Sequence, residues 1–190
     1  SHRLDTGPIG NLLHTAYFTG VNYGTFDLER ILRLLRLHDG HVVVKESGMH
    51  AVEDYLMARY QMHWQVYFHP VTRSSEVLLR KIFQRAKTLH EAGYTFQFIW
   101  HPLPAFLNGH VELHEYVAVD ESFMQMTFMQ WCQEKDEILS DLCKRFMHRR
   151  LFKYVTKDTL PVEWLQEVEA RMEKAGISVP YYLDVDSPHD

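Results

Sequence analysis

Cysteine and long apolar runs are both scarce in this sequence, and each scarcity excludes a class of protein. Cys132 and Cys143 are the two cysteines among 190 residues, and both lie in segments that read as helix. Small secreted domains are usually held together by several disulfides, so two thiols of this kind indicate buried side chains in a reducing compartment. No stretch approaches the roughly 18 consecutive apolar residues of a membrane-spanning helix. We therefore expect a cytoplasmic protein without a disulfide framework and without a membrane partner.

An excess of positive charge is also lacking. The 20 Lys and Arg residues are outnumbered by 25 Asp and Glu residues, which gives a formal net charge of −5. This balance argues against strong nucleic-acid binding, because clustered cations supply most of the affinity for a phosphate backbone. One local cationic segment remains at 144–153. The sequence also offers no Gly-rich phosphate loop, Ser-His-Asp set or cysteine nucleophile, which leaves several common enzyme classes without support.

The sequence of residues 47–71 predicts one long helix. Ser47 is a favourable N-cap, and Pro70 is expected to end the helix because proline lacks an N–H donor. Apolar residues recur at helical spacing and predict the side that packs into the core. The predicted core face consists of Val52, Leu56, Met62 and Val66.

A polar column lies beside that predicted core face. Arg59, His63 and Tyr67 fall at i, i+4 and i+8, so they are expected on one side of the helix. A guanidinium offers paired donors to phosphate oxygens, and an imidazole or a phenol can hydrogen-bond a hydroxyl group or pack on a ring. The column therefore suits a ligand with phosphates at one end and a sugar or base at the other. The alternative interpretation is a half-buried seam whose polar tips are satisfied within the protein.

The rest of the chain is expected to be mostly helical, with a small α+β part at the C-terminal end. Gly7, Pro8 and Gly10 argue against a helix before Asn11. Helices are predicted over 26–37, 73–92, 123–132, 136–149 and 161–176, and strands over 41–45, 151–156 and 177–185. We expect a division into residues 1–115, forming a helical domain, and 116–190, forming a small α+β region.

The 13 histidines raise the question of a metal site. His110 and His114 flank Glu112, but this is not the order of a zinc-protease helix, and the segment reads as a loop. The His-Asp pairs at 38–39 and 189–190 lie in a predicted turn and at the chain end. We therefore expect no metal-binding residues in this chain. A metal bound near His110 and His114 would instead favour an unrelated metalloprotein.

Three segments together resemble a known enzyme family. They are AYFTGVNYGTFDLERILR at 16–33, HAVEDYLMARYQMHWQVYFHPV at 50–71 and RRLFKYV at 149–155. In this order they are similar to the second half of bacterial HD-domain deoxynucleoside triphosphate triphosphohydrolases, and more distantly to the vertebrate SAM-and-HD-domain enzyme. The resemblance implies an HD-like helical half that lacks the N-terminal metal-binding helices.

The resemblance also implies roles for individual residues. The family uses a divalent metal to cleave a dNTP into deoxynucleoside and triphosphate, and its members assemble as homo-oligomers. By this likeness Arg59 would contact the triphosphate, while His63 and Tyr67 would line the sugar and base. Residues 116–190 would form an oligomerisation and regulatory region, in which Arg149 and Lys153 would lie near a regulatory nucleotide. Cations also favour helix C-termini for purely structural reasons.

Departures from the family pattern limit the expected activity. The family's His and His-Asp metal ligands have no counterpart in these 190 residues, and Gly7 and Pro8 stand where an Asp and a basic residue are expected. Asn11 and Thr15 replace a Tyr and an Asp. We therefore expect that this chain binds no metal and does not hydrolyse a dNTP alone, since no cation would activate water. The alternative is a non-catalytic nucleotide- or partner-binding module, a degenerate homologue of the enzymes.

Overall fold

The computed structural model describes residues 6–22, 25–155 and 160–185, with side chains from residue 10 onward. The chain is mostly helical with a small two-stranded sheet, which confirms the predicted fold class. It divides into two compact units, Ser1–Thr72 and Arg73–Asp190. The sheet belongs to the first unit, so the α+β character lies earlier in the chain than we expected.

The described part of the first unit, residues 6–22 and 25–72, contains three helices, a hairpin and two short helical turns before α4 begins. In chain order these are α1 (Thr6–Thr19), α2 (Leu28–Leu34), β1 (Leu35–His38), β2 (His41–Val44), a 3-10 turn (Glu46–Gly48), α3 (Met49–Met62) and a π-helical turn (His63–Tyr67).

Helix α1 begins before Asn11, contrary to the prediction. Pro8 lies within its first turn, where a missing N–H donor removes no intrahelical hydrogen bond. Leu12 and Ala16, four residues apart, are buried in the core of the first unit. Tertiary packing of these two side chains therefore compensates for the unfavourable glycines at the start of the helix.

The hairpin interrupts the helix that was predicted over 26–37. Leu35 has extended backbone angles (φ −68°, ψ 142°), and β1 pairs antiparallel with β2 from Leu35↔Val44 to His38↔His41. Asp39 and Gly40 have φ values of 51° and 76°, as a tight hairpin turn with two left-handed residues requires. The strand at 41–44 was predicted correctly, whereas β1 was wrongly predicted as helix.

The buried side of α3 differs from the predicted one. Its core residues are Ala51, Tyr55, Ala58 and Met62, which pack with Leu12, Ala16 and Ile31. Leu56 was expected in the core but is 52% exposed, and the N-cap is Gly48 instead of Ser47. The two alanines permit close approach of neighbouring helices, which a count of large apolar residues does not detect.

The second unit is built from seven helices within the described ranges. They are α4 (Pro70–Glu91), whose first turn contains the boundary between the units, α5 (Leu103–Leu107), α6 (Leu113–Ala118), α7 (Glu121–Trp131), α8 (Glu137–Met147), α9 (Val162–Lys174) and α10 (Val179–Tyr182). Asp120 and Asp136 cap α7 and α8, accepting hydrogen bonds from the N–H groups of Phe123 (2.7 Å) and Leu139 (2.8 Å). These helix starts were predicted correctly.

The two strands predicted near the C-terminus were wrong. Residues 151–155 form no strand, because Leu151 and Phe152 pack on the core and the Phe152 carbonyl accepts a hydrogen bond from Ser74 Oγ (3.0 Å). Thr156 lies outside the described residues. Within the predicted strand 177–185, the chain forms the short helix α10 instead.

One core connects α4 with α7 and α8. Its fully buried members include Leu78, Ile82, Trp131, Leu139 and Leu142. Cys132 and Cys143 are buried free thiols, as expected, and burial raises the pKa of both. This core includes residues on both sides of position 115. The predicted division into residues 1–115 and 116–190 therefore stays a prediction about the functions of the two regions. Within the described residues, no helix is both long and apolar enough to cross a membrane.

Candidate functional site

The predicted column lies where α3 ends. Arg59 is in the last turn of α3, and His63 and Tyr67 are the first and last residues of the π turn. The backbone N–H of Phe68 donates to the carbonyl of His63 at 2.8 Å, five residues back, which defines the wider turn. The rings of His63 and Tyr67 have centroids 5.7 Å apart. The structure thus brings His63 and Tyr67 together, with Arg59 one turn earlier and exposed.

The helix ends earlier than was predicted. It stops at Tyr67, and Pro70 begins α4 instead of ending the preceding helix. Proline is favourable in a first turn because the N–H it lacks would have no partner there, and it disfavours helical angles at His69. A π turn inserts an extra residue into the helical register and is common at functional sites. The column is therefore built on an irregular helix end, not on a straight helix.

Thr15 is a site residue whose role sequence reasoning missed. Its Oγ1 lies 3.3 Å from the Tyr67 hydroxyl, within hydrogen-bond distance. The sequence comparison treated Thr15 only as a departure from the family pattern, because the start of α1 was not recognised as helix. The contact joins α1 to the π turn within the first unit. It also limits the positions that the Tyr67 side chain can adopt.

Two aromatic rings, those of Tyr67 and Phe68, lie beside the exposed His63. The Phe68 ring meets the imidazole edge-on, with centroids 4.5 Å apart at 66°. Trp64 lies 5.9 Å from Phe68 and 6.2 Å from Tyr60, measured between ring centroids. These contacts restrict the imidazole orientation. The site therefore presents a guanidinium, a restrained imidazole and a phenol along one helix end.

Two open cavities lie away from the column. One, of about 420 Å³, is in the first unit and is lined by Asp27, Glu29, Arg30, Arg33, Leu34 and Ser47. Its Arg33 is engaged in an ion pair with Glu29. The other, of about 390 Å³, lies between α8 and the start of α10 in the second unit. Neither of these two cavities is lined by Arg59, His63 or Tyr67.

Arg149 and Lys153 lie in the second unit, after α8. Arg149 has a φ of 52°, and its N–H donates to the Phe146 carbonyl at 3.2 Å, so it ends the helix in a left-handed conformation. Both cations are exposed. Leu151 and Phe152, which pack on the core, separate them in sequence. The two cations are therefore exposed on a segment that Leu151 and Phe152 attach to the core.

The described residues do not fit a divalent metal. Among residues 6–22, 25–155 and 160–185, no three His, Cys, Asp or Glu side chains converge closely enough to hold an ion. His114 Nδ1 lies 3.3 Å from a Glu112 carboxylate oxygen, and His38 Nε2 lies 3.6 Å from Asp39, as exposed pairs. The ends of the chain, including the pair at 189–190, and the side chains at 7 and 8 lie outside the described residues.

Comparison with known proteins connects this geometry to a family. Residues 26–96 match the family model described as "HD associated region", and this stretch includes Arg59, His63 and Tyr67. The chain superimposes on a phosphohydrolase from Bacteroides thetaiotaomicron with a TM-score of 0.82 and 25% sequence identity. That match covers 96% of this chain and 48% of the phosphohydrolase. The chain is thus related to HD-domain proteins.

Two further proteins are similar to this chain. YwfO from Bacillus subtilis (strain 168) is 50% identical over 193 aligned residues, covering 100% of this chain and 44% of YwfO. A hypothetical protein from Aquifex aeolicus matches with a TM-score of 0.58 and 28% identity, covering 90% of this chain and 40% of that protein. The HD-related chain therefore spans less than half the length of these three proteins.

Proposed function

We propose that this chain carries the nucleotide-binding part of an HD-type phosphohydrolase that acts on deoxynucleoside triphosphates. The observation that carries the proposal is the match of residues 26–96 to the HD associated region, which includes the whole polar column. The fold shared with the Bacteroides phosphohydrolase supports hydrolase chemistry. The dNTP substrate rests on the resemblance of the three sequence segments.

The chemistry of the column supports this substrate. Arg59 supplies a permanent cation with paired N–H donors for phosphate oxygens. His63 and Tyr67 supply hydrogen-bonding groups and ring faces 5.7 Å apart, which suit a sugar and a base. Thr15 holds the Tyr67 hydroxyl from α1. In this proposal the triphosphate lies toward Arg59 and the deoxynucleoside toward Tyr67.

Binding measurements on the purified chain test the proposal. Isothermal titration with inorganic triphosphate and with a deoxynucleoside separates the two ends of the ligand. Arg59→Ala should weaken triphosphate binding about 10- to 100-fold, since it removes charge-assisted hydrogen bonds. Tyr67→Phe should weaken deoxynucleoside binding and leave triphosphate binding nearly unchanged.

Arg30 is the matched control, because it is also an exposed arginine of the first unit. Arg30→Ala should leave both affinities within about 2-fold of wild type. Equal losses for Arg59→Ala and Arg30→Ala would indicate nonspecific attraction of anions and would refute the assignment.

We further propose that the 190-residue chain alone does not release deoxynucleoside from a dNTP. Gly7 offers no carboxylate where the family has a metal-binding Asp. Incubation with each dNTP and Mg²⁺ or Mn²⁺, followed by chromatography for deoxynucleoside, tests this. Turnover that requires metal would contradict it. The alternative, a non-catalytic module, requires that the longest polypeptide encoded by the gene also binds dNTP without hydrolysing it.

Arg149 and Lys153 are proposed to bind a regulatory nucleotide in an oligomer. Their support is the RRLFKYV segment and their exposure on a backbone attached to the core. Arg149→Glu should weaken binding of a second nucleotide while the affinity of the Arg59 site stays the same. If this variant binds the same number of nucleotides and keeps the same oligomeric state, the regulatory proposal is wrong. Arg149 would then have only a structural role at the end of α8.

A further inference from the structure

The cavity beside α8 is lined by charged groups of both signs and by apolar side chains. Helix α8 contributes Glu137, Asp141 and Arg145, and the apolar lining is Ile138 and Ile177. Its volume of about 390 Å³ is in the usual range for a small-molecule site. The four lining residues of α8 fall at i, i+1, i+4 and i+8, so they share one side of the helix. The cavity belongs to the second unit and is independent of the Arg59 column.

Asp141 is already paired within the protein. Its Oδ2 accepts hydrogen bonds from Arg145 Nε at 2.6 Å and from the Tyr182 hydroxyl at 2.8 Å. Burial and the hydrogen bond to Asp141 raise the pKa of Tyr182, so the phenol stays protonated as a donor. The Arg145 guanidinium lies over the Tyr182 ring, 5.7 Å from its centroid. These contacts orient Arg145 and leave its Nη1 and Nη2 groups without an acceptor among the described residues.

Two other polar side chains of this cavity also lack partners. Within the described ranges, the Glu137 carboxylate and the Ser178 hydroxyl form no hydrogen bond or ion pair with another residue. Glu137 lies in the first turn of α8 and Arg145 in its last turn. The cavity therefore offers an unpaired carboxylate toward one end of α8 and free guanidinium donors toward the other.

The distance between these two charges limits the length of a ligand that pairs with both. Glu137 and Arg145 are eight residues apart, which corresponds to about 12 Å along a helix axis. A charge-assisted hydrogen bond of about 2.8 Å at each end leaves roughly 6 Å between the charged atoms of the ligand. An α-amino group and its own carboxylate are too close together to reach both ends.

We propose that this cavity binds a zwitterionic ω-amino carboxylate. Its ammonium group pairs with Glu137, its carboxylate accepts from Nη1 and Nη2 of Arg145, and its methylene chain packs on Ile138 and Ile177. The Ser178 hydroxyl is a further hydrogen-bond partner. A simple carboxylic acid would leave Glu137 unpaired, and a simple amine would leave the Arg145 donors unpaired. A dipeptide has a similar charge separation, but it places a polar amide against the two isoleucines, which costs free energy.

An NMR titration of the isotope-labelled chain with δ-aminovalerate tests the proposal. This five-carbon zwitterion carries its charges at the required separation. It should bind with a dissociation constant of about 1 mM and shift amide signals of α8 and of residues 176–182. Valerate and pentylamine each lack one charge, β-alanine is too short, and glycylglycine carries the amide. Each of these four compounds should bind at least about 10-fold more weakly.

Substitutions at the two ends assign the charges of the ligand. Glu137→Gln should remove the advantage of δ-aminovalerate over valerate, and Arg145→Gln should remove its advantage over pentylamine. Glu121→Gln is the matched control for the first variant, because Glu121 is the exposed acidic residue in the first turn of α7. Arg171→Gln is the control for the second, because Arg171 also pairs with an acidic residue four positions earlier. Both controls should keep the affinity for δ-aminovalerate within about 2-fold of wild type.

Several outcomes would overturn the proposal. The first is the absence of saturable shifts up to about 10 mM δ-aminovalerate, ten times the expected dissociation constant. The second is binding of valerate, pentylamine or glycylglycine as tightly as δ-aminovalerate, which excludes recognition of a zwitterion through an apolar chain. The third is an equal loss in Glu137→Gln and Glu121→Gln. Because Arg145→Gln also removes the ion pair of Asp141, thermal unfolding is measured for every variant, and Glu137→Gln decides between the outcomes.

Discussion

Polar side chains serve different purposes in the two units. In the second unit, Arg85 donates two hydrogen bonds to Asp136, through Nε (3.0 Å) and Nη2 (2.5 Å). Glu134 is buried and accepts hydrogen bonds from the Tyr94 hydroxyl and from the N–H groups of Gln97 and Phe98. These groups are satisfied within the protein. Arg59 in the first unit is exposed at a helix end, where a ligand can approach.

The difference shows that spacing on a helix does not separate exposed polar groups from those whose hydrogen bonds are satisfied within the protein. Arg85 and Arg59 both lie on strongly helical segments beside apolar residues, and their sequence contexts look alike. Only the structure shows that Arg85 forms an ion pair with Asp136. The Arg85 side chain is 20% exposed and the Asp136 side chain is 13% exposed. Substitutions in the two regions should therefore change different properties of the protein.

The largest effect is expected from Asp136→Ala. The change removes the cap of α8 and leaves Arg85 without its ion-pair partner, so unfolding free energy should fall by about 3 kcal/mol. Urea denaturation followed by circular dichroism measures this loss. Arg59→Ala is the comparison and should change stability by less than about 0.5 kcal/mol. A similar loss in both variants would remove the distinction between the regions.

The contribution of Asp136 should depend on pH. Burial acts to raise the pKa of Asp136, but hydrogen bonds from Arg85 and the Leu139 N–H outweigh it, so the pKa lies below its ordinary value. A depressed carboxyl pKa stabilises the fold above the unfolded pKa of about 4, and this stability is lost as pH falls through the folded pKa.

Asp136→Asn gives the matched measurement of this pH dependence. It should cost about 2 kcal/mol at pH 7, since it replaces a charged acceptor with a neutral one. The difference from wild type should shrink as the pH is lowered below about 4. A constant difference down to the acid transition would show that Arg85 does not hold this carboxylate ionised.

Gly48→Ala should destabilise the first unit by about 1 kcal/mol through overpacking. A Cβ at this position would lie 2.8 Å from Val44 Cγ1 and 3.0 Å from Leu34 Cδ1, where the 3-10 turn meets the hairpin. Gly10→Ala is the control, because apart from its chain neighbours and the nearby backbone of α1 no atom lies within 4 Å of its Cβ position. It should stabilise by up to about 1 kcal/mol. Thermal unfolding of both variants distinguishes local crowding from a general effect of alanine.

The smallest effect is expected from Thr15→Val. Loss of the contact with the Tyr67 hydroxyl should weaken deoxynucleoside binding about 3-fold, as expected for one neutral hydrogen bond. Triphosphate binding should stay the same. Thr15→Ser keeps the hydroxyl and should retain wild-type affinity. An equal loss in Thr15→Val and Thr15→Ser would show that the methyl packing matters and the hydrogen bond does not.

Sequence patterns predicted the features of this protein that depend on near neighbours in the chain. Asp120 and Asp136 cap helices through N–H groups three residues away, and Asp39-Gly40 makes a turn through its own backbone angles. The long helix α4 follows from its regular apolar spacing. The column is likewise a local pattern, because Arg59, His63 and Tyr67 lie within one segment, and its role in binding stays a prediction.

Tertiary structure decided which faces are buried and where the helices stop. Leu56 and Tyr55 are both apolar enough for a core, and only packing against α1 and α2 selects Tyr55. The pairing of β1 with β2 overrides a local preference for helix, and the Ser74 contact with Phe152 takes the place of a strand partner. The contact between Thr15 and Tyr67 joins residues 52 positions apart. Such choices depend on contacts between distant segments, and no local pattern encodes them because several local alternatives have nearly equal free energy.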